Sequence, residues 1–129
     1  MGKVLDCVQI SPVRAGQSAV AWGIDGIRAW RQANRAEMNS RAALFRQAIA
    51  PLNGWQVLAA GAYFAYVAHP FEGVPAAEVV RRLVQERGVL ALPGPYFGPG
   101  QEQHLRIAIA NVAAERIAAL GERLKGFTL

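Results

Sequence analysis

The chain has 129 residues, of which 53% are hydrophobic and 18% charged. That is enough for one compact domain with a core, and it excludes the disordered, collagen-like and coiled-coil classes. No apolar run approaches the roughly 20 residues of a membrane-spanning helix. The opening Met1-Gly2-Lys3-Val4-Leu5-Asp6 lacks the pattern of a secretory signal, and Cys7 has no second cysteine to pair with. The expectation is a cytoplasmic protein with no membrane partner.

The net charge is +5, carried by twelve arginines and two lysines, Lys3 and Lys125. Most of the excess lies in the first half, at Arg14, Arg28, Arg31, Arg35, Arg41 and Arg46. Arg28, Arg31 and Arg35 fall on one helical stripe, as on a solvated face. No basic run with interleaved aromatics accompanies them, so nucleic acid is not the expected partner.

Residues 1–17 read as an extended lead-in, with Pro12 and Gly16 opposing an early helix. From Ser18, a possible N-cap, Val20, Ile24 and Ile27 recur at helical spacing. A second stripe runs through Met38, Ala42, Phe45 and Ile49 and stops at Pro51. One long helix and two helices kinked near Asn34 are both compatible with this pattern. Residues 55–58 then predict a strand, 59–61 a turn, and 62–68 an aromatic-rich strand ended by His69-Pro70. Pro75 suits the start of a helix facing inward through Val79, Val80, Leu83 and Val84, with Gly88 as its left-handed C-cap. Residues 89–92 predict a short strand, and 93–100 (PGPYFGPG) a shaped loop. Residues 104–110 (HLRIAIA) alternate, with Leu105, Ile107 and Ile109 on one face and His104, Arg106 and Ala108 on the other. Asn111 can cap a closing helix whose stripe is Ala113, Ile117, Leu120 and Leu124, ended by Gly126. The fold class is therefore α+β, a small, mostly antiparallel sheet with helices packed mainly on one face. Residues 18–129 form its single domain.

Chemistry-bearing residues are few. Arg106 places a guanidinium, a planar fork that matches carboxylates, in an otherwise apolar strand with small neighbours. The alternative is an ion pair with Glu102 or Glu86. Tyr96 and Phe97 sit in the Pro/Gly loop, against either a cleft or the core. The prolines there remove N–H donors that a phosphate cradle needs. His69, His104 and Cys7 show no metal-ligand spacing, and no catalytic constellation stands out.

Three stretches together resemble the C-terminal, small domain of class I/II aminotransferases, pyridoxal-phosphate enzymes of fold type I. They are residues 61–67 (GAYFAYV) after Gly54-Trp55, residues 86–98 (ERGVLALPGPYFG), and residues 104–110 (HLRIAIA) with a helix ending in Glu122-Arg123-Leu124. Residues 3–50, with Ile10-Ser11-Pro12 and Gln17, are similar to the segment after that family's cofactor lysine. The resemblance implies that Arg106 binds the substrate's α-carboxylate and that Tyr96 and Phe97 border the substrate cleft. It implies amino-group transfer between an amino acid and a 2-oxo acid in the full-length protein, which would use pyridoxal phosphate. The lysine, aspartate, stacking aromatic and phosphate ligands that hold this cofactor in the family have no counterparts in the 129 residues. The expectation is therefore a chain that binds no cofactor and is inactive alone, with a separate N-terminal cofactor domain as partner and homo-oligomeric assembly. The alternative is a free-standing, self-associating module using Trp22, Trp30 and Tyr66.

Overall fold

The computed structural model describes residues 13–129; the expectations for Lys3, Cys7 and Ile10-Ser11-Pro12 lie outside them. The described residues divide into two compact units at Arg35/Ala36. The first contains helix α1 (Arg14–Gly26) and the beginning of α2 (Arg28–Ile49). Helix α1 starts at Arg14, ahead of Ser18, so residues 14–17 are helical where an extended lead-in was expected. Extended Val13 precedes it, and the Gln17 N–H donates to the Val13 carbonyl at 3.2 Å. Gly16 lies inside the first turns, where glycine costs only about 1 kcal/mol relative to alanine. The helices break at Ile27, not near Asn34, which is helical within α2. The break follows Gly26, whose missing side chain leaves room for Trp22: a Cβ there would stand 2.8 Å from the indole. Arg28 pairs with Asp25 and Arg31 donates to the Ile24 carbonyl, while Arg35 is exposed. The basic stripe is a solvated face.

The second unit holds the end of α2, strands β1 (Gln56–Gly61) and β2 (Phe64–Ala68), helix α3 (Ala76–Arg87), and the two-residue strand β3 (Leu92–Pro93). A 3-10 turn (Gly94–Phe97), strand β4 (His104–Ala108) and helix α4 (Ala114–Leu124) follow. The four strands form one antiparallel sheet in the order β1-β2-β4-β3. One face carries Ala65, Val67, Leu105 and Ile107 into a core shared with Phe45 and Ile49 of α2, Val79 and Leu83 of α3, and Ile117 and Leu124 of α4. This is the expected α+β arrangement. Each large side chain fully buried there contributes roughly 1.5–3 kcal/mol.

Local boundaries shift for identifiable reasons. The first hairpin turns at Ala62-Tyr63, not at 59–61, and Gly61 pairs with Phe64 as the last rung. A bulge between Val57 and Ala59 absorbs Leu58 and moves the turn toward the C-terminus. Ala62 then adopts φ 47, a left-handed conformation rare for a non-glycine residue. Strand β3 is shorter and later than 89–92, and Pro93 is tolerated because β3 is an edge strand. Val84 is exposed, and Ala76 is buried on that helix face instead. Gly88 caps α3 in the left-handed region (φ 60, ψ 32). Asn111 does not cap α4; extended Ala113 precedes it without a side-chain bond. Arg41 holds the intervening segment by donating to the Ala110 and Val112 carbonyls at 2.8 and 2.7 Å.

Two packing details yield tests. In α4, a Cβ on Gly121 would approach the Ala48 carbonyl oxygen of α2 at 2.6 Å. Gly121→Ala should therefore lose about 1–3 kcal/mol in chemical denaturation despite its better helix propensity. His69 is buried; its Nε2–H donates to the Glu102 carbonyl and its Nδ1 accepts from the Phe71 N–H, both at 3.3 Å. Burial holds this imidazole below its ordinary value of 6.5; the Glu102 bond opposes the shift and nearby His104 adds to it. Stability from neutral His69 is complete above that value and declines as pH falls through the lowered folded-state value. Urea midpoints should fall between pH 8 and pH 5, and His69→Gln should flatten that limb.

Candidate functional site

Arg106 stands in the middle of β4, opposite Tyr66 of β2 and Leu92 of β3. Leu105 and Ile107 on either side are buried in the core, so the period of two sends Arg106 to the other face. There its guanidinium is pinned by two rings: Cζ lies 3.7 Å from the Phe97 centroid and 4.2 Å from that of Phe64. Cation–π contacts this close hold the plane of the fork in one orientation. Neither carboxylate considered as an ion-pair partner is used: Glu86 pairs with Arg82, and Arg106 makes no ion pair among the described residues. Its Nε is buried without a hydrogen-bond partner. An N–H left open in this way costs about 1–3 kcal/mol until an acceptor meets it.

The loop that delivers Phe97 is built on a second contact. The Tyr66 hydroxyl donates to Gln101 Oε1 at 2.8 Å, and the ring stacks on His104 at 5.4 Å between centroids. Burial pushes the Tyr66 phenol above its ordinary value, so it keeps the proton it donates. Gly94 is wedged beneath: a Cβ there would collide with the Gln101 carbonyl and come within 2.8 Å of the Tyr66 oxygen. Residues 94–101 thus fold back toward the sheet, bringing Phe97 onto Arg106. Tyr96, the next residue back, is 73% exposed, so the structure unites only one of the two expected loop aromatics with Arg106. Phe64 was not anticipated. Its signal is the pairing of Phe64 with Ala108, which puts it diagonal to Arg106 on the same face. Tyr66 is half-buried and hydrogen-bonded, unlike exposed Trp22 and Trp30, and does not extend an open association surface. A concavity of about 410 Å³, lined by Arg106, Phe64, Tyr66 and the small residues of β1, opens beside the guanidinium.

The family model for aminotransferase class I and II matches residues 9–124. The chain belongs to the class I and II aminotransferase family. Over 58 residues, 45% of this chain and 15% of the other, it is 40% identical to LL-diaminopimelate aminotransferase of Aquifex aeolicus. A Methanococcus jannaschii structure, described as similar in its active site to kynurenine aminotransferases, matches with a TM-score of 0.74 and 26% identity over 95% of this chain and 32% of that one. An α-aminoadipate aminotransferase of Thermus thermophilus, complexed with N-(5'-phosphopyridoxyl)-L-leucine, matches with a TM-score of 0.65 and 26% identity over 82% of this chain and 29% of that one. The chain therefore spans less than a third of the length of each of these proteins.

The family implies pyridoxal phosphate in its full-length members. Holding that group covalently requires a lysine amine in a protected site. Lys125, the one lysine among the described residues, has a side chain 72% exposed and an ammonium 4.0 Å from Glu122. It cannot serve, and the described residues do not fit the cofactor by themselves. What they offer is a guanidinium held between two aromatic rings.

The Gly94 wedge supplies the test of this geometry. Gly94→Ala should displace the 94–97 turn and lower stability by about 1–3 kcal/mol. It should also abolish the ring-current shift that Phe97 imposes on the Arg106 side-chain resonances.

Proposed function

We propose that the chain is the C-terminal, substrate-carboxylate-binding part of an amino-acid transaminase. Arg106 receives the α-carboxylate of the amino acid or 2-oxo acid; Phe97 fixes the orientation of the fork, and Tyr96 borders the cleft from its exposed position. The observation that carries the reading is a guanidinium pinned by two rings, with no carboxylate partner among the described residues and a buried Nε still open to an acceptor. A carboxylate meets that need with two parallel charge-assisted bonds, while an exposed surface arginine would offer no fixed geometry. Within this chain the contribution is binding and orientation, which lowers the barrier by presenting substrate in one pose. The amino-group transfer itself belongs to a lysine-bearing cofactor domain, the proposed partner, within a homo-oligomer. The 129 residues alone are therefore inactive.

Arg106→Lys in the protein assembled with its cofactor domain tests this reading. The substitution keeps the charge and loses the fork. It should lower kcat/KM for an amino acid about ten- to a hundredfold, the range of one charge-assisted hydrogen bond, while sparing the matching amine that lacks the carboxylate. Equal loss for both substrates would make Arg106 a structural residue.

A further inference from the structure

We propose that the anion taken by Arg106 is a monocarboxylate with an apolar tail of about aryl size, an inference that rests on the carboxylate reading above. The concavity beside the guanidinium is walled, apart from Arg106, by Ala59, Ala60, Gly61, Ala65, Phe64 and Tyr66. Two of the polar groups along it are already engaged. The Ala60 carbonyl accepts from Arg46 Nη2 at 2.8 Å, and the Tyr66 hydroxyl is committed to Gln101. Arg46, which reaches the rim by this contact, is itself held by the Ala42 and Ala60 carbonyls. Ala59 shares the face of Tyr66 and Arg106, whereas Ala60 and Ala65 turn their methyl groups to the core and offer backbone. One charged fork therefore faces a space walled chiefly by the Ala59 methyl, glycine backbone and aromatic carbon. Phe64 is 42% exposed, which leaves part of its ring available to a ligand as well as to Arg106.

The consequences for a ligand follow from solvation. A carboxylate that reaches the fork exchanges the water on it for charge-assisted bonds and gives the unpartnered Nε an acceptor. An apolar tail then removes alanine and aromatic surface from water, and the tail's affinity scales with that area. A second carboxylate would lose its hydration against the same surface with no cation to replace it. About 410 Å³ is more space than an ethyl tail fills, so a larger apolar tail gains contacts that a short one cannot make.

Isotope-edited NMR on the full 129-residue chain tests this, with propionate, 3-phenylpropionate and succinate titrated separately. The readouts are the Arg106 Nε–H and the Phe64 and Phe97 ring resonances. The expected result is 3-phenylpropionate binding about tenfold tighter than propionate, with succinate no tighter than propionate. Ala59→Leu, which fills the concavity from an exposed strand position, should remove the phenyl preference. Equal affinities, tightest binding by succinate, or an unchanged preference in Ala59→Leu would overturn the apolar-tail inference while leaving Arg106 as a carboxylate site. Failure of all three acids to shift Arg106 would overturn the carboxylate reading itself, and the tail preference with it.

Discussion

Strand β4 is paired on both sides, by β2 and by β3, and its residues alternate strictly between two environments. Leu105 and Ile107 are buried in the core, which leaves no freedom in the direction of Arg106. A slip of one residue would put the guanidinium into the apolar core and two large aliphatic side chains on the other face. The burial of three helices against this sheet face therefore also fixes the position of the guanidinium. Stability and site geometry depend on the same register.

The Arg106 side chain is held by apolar contacts more than by polar ones. Two rings hold the Arg106 fork, and one of them arrives on a loop closed by the Tyr66–Gln101 bond over Gly94. An ion pair would have held the arginine equally well but would have consumed the donors that an anion needs. Aromatic faces restrain the guanidinium without occupying its N–H groups. This division separates Arg106 from the other arginines of the second unit that join distant segments. Arg41, Arg46, Arg87 and Arg123 each donate to backbone carbonyls, tying segments together and leaving less capacity for a ligand. These arginines are structural ties, whereas Arg106 is held by rings with its Nε unpartnered.

The family relationship and the site bear on each other through length. A chain that spans under a third of the length of these solved relatives has, among the described residues, no protected lysine for the cofactor. The contacts that order Arg106 are internal to the second unit.

Much of this was legible in the sequence because short-range periodicity reports burial directly. The alternation of residues 104–108, the helical stripes ending at Ile49 and Leu124, and the left-handed Gly88 all follow from local chemistry that does not depend on partners. Other features depended on contacts distant in sequence. The bulge at Leu58 moved the first turn to Ala62, and Arg41 replaced Asn111 in ordering the approach to α4. The same holds for the receptor. The sequence by itself determined that Arg106 must leave the core, since its neighbours are apolar and strands alternate. Only the tertiary structure decided that Phe64 and Phe97, 42 and 9 positions away, would cover the guanidinium while Tyr96 would not. That choice comes from strand register and from the packing of Gly94 beneath Tyr66, which no local pattern encodes.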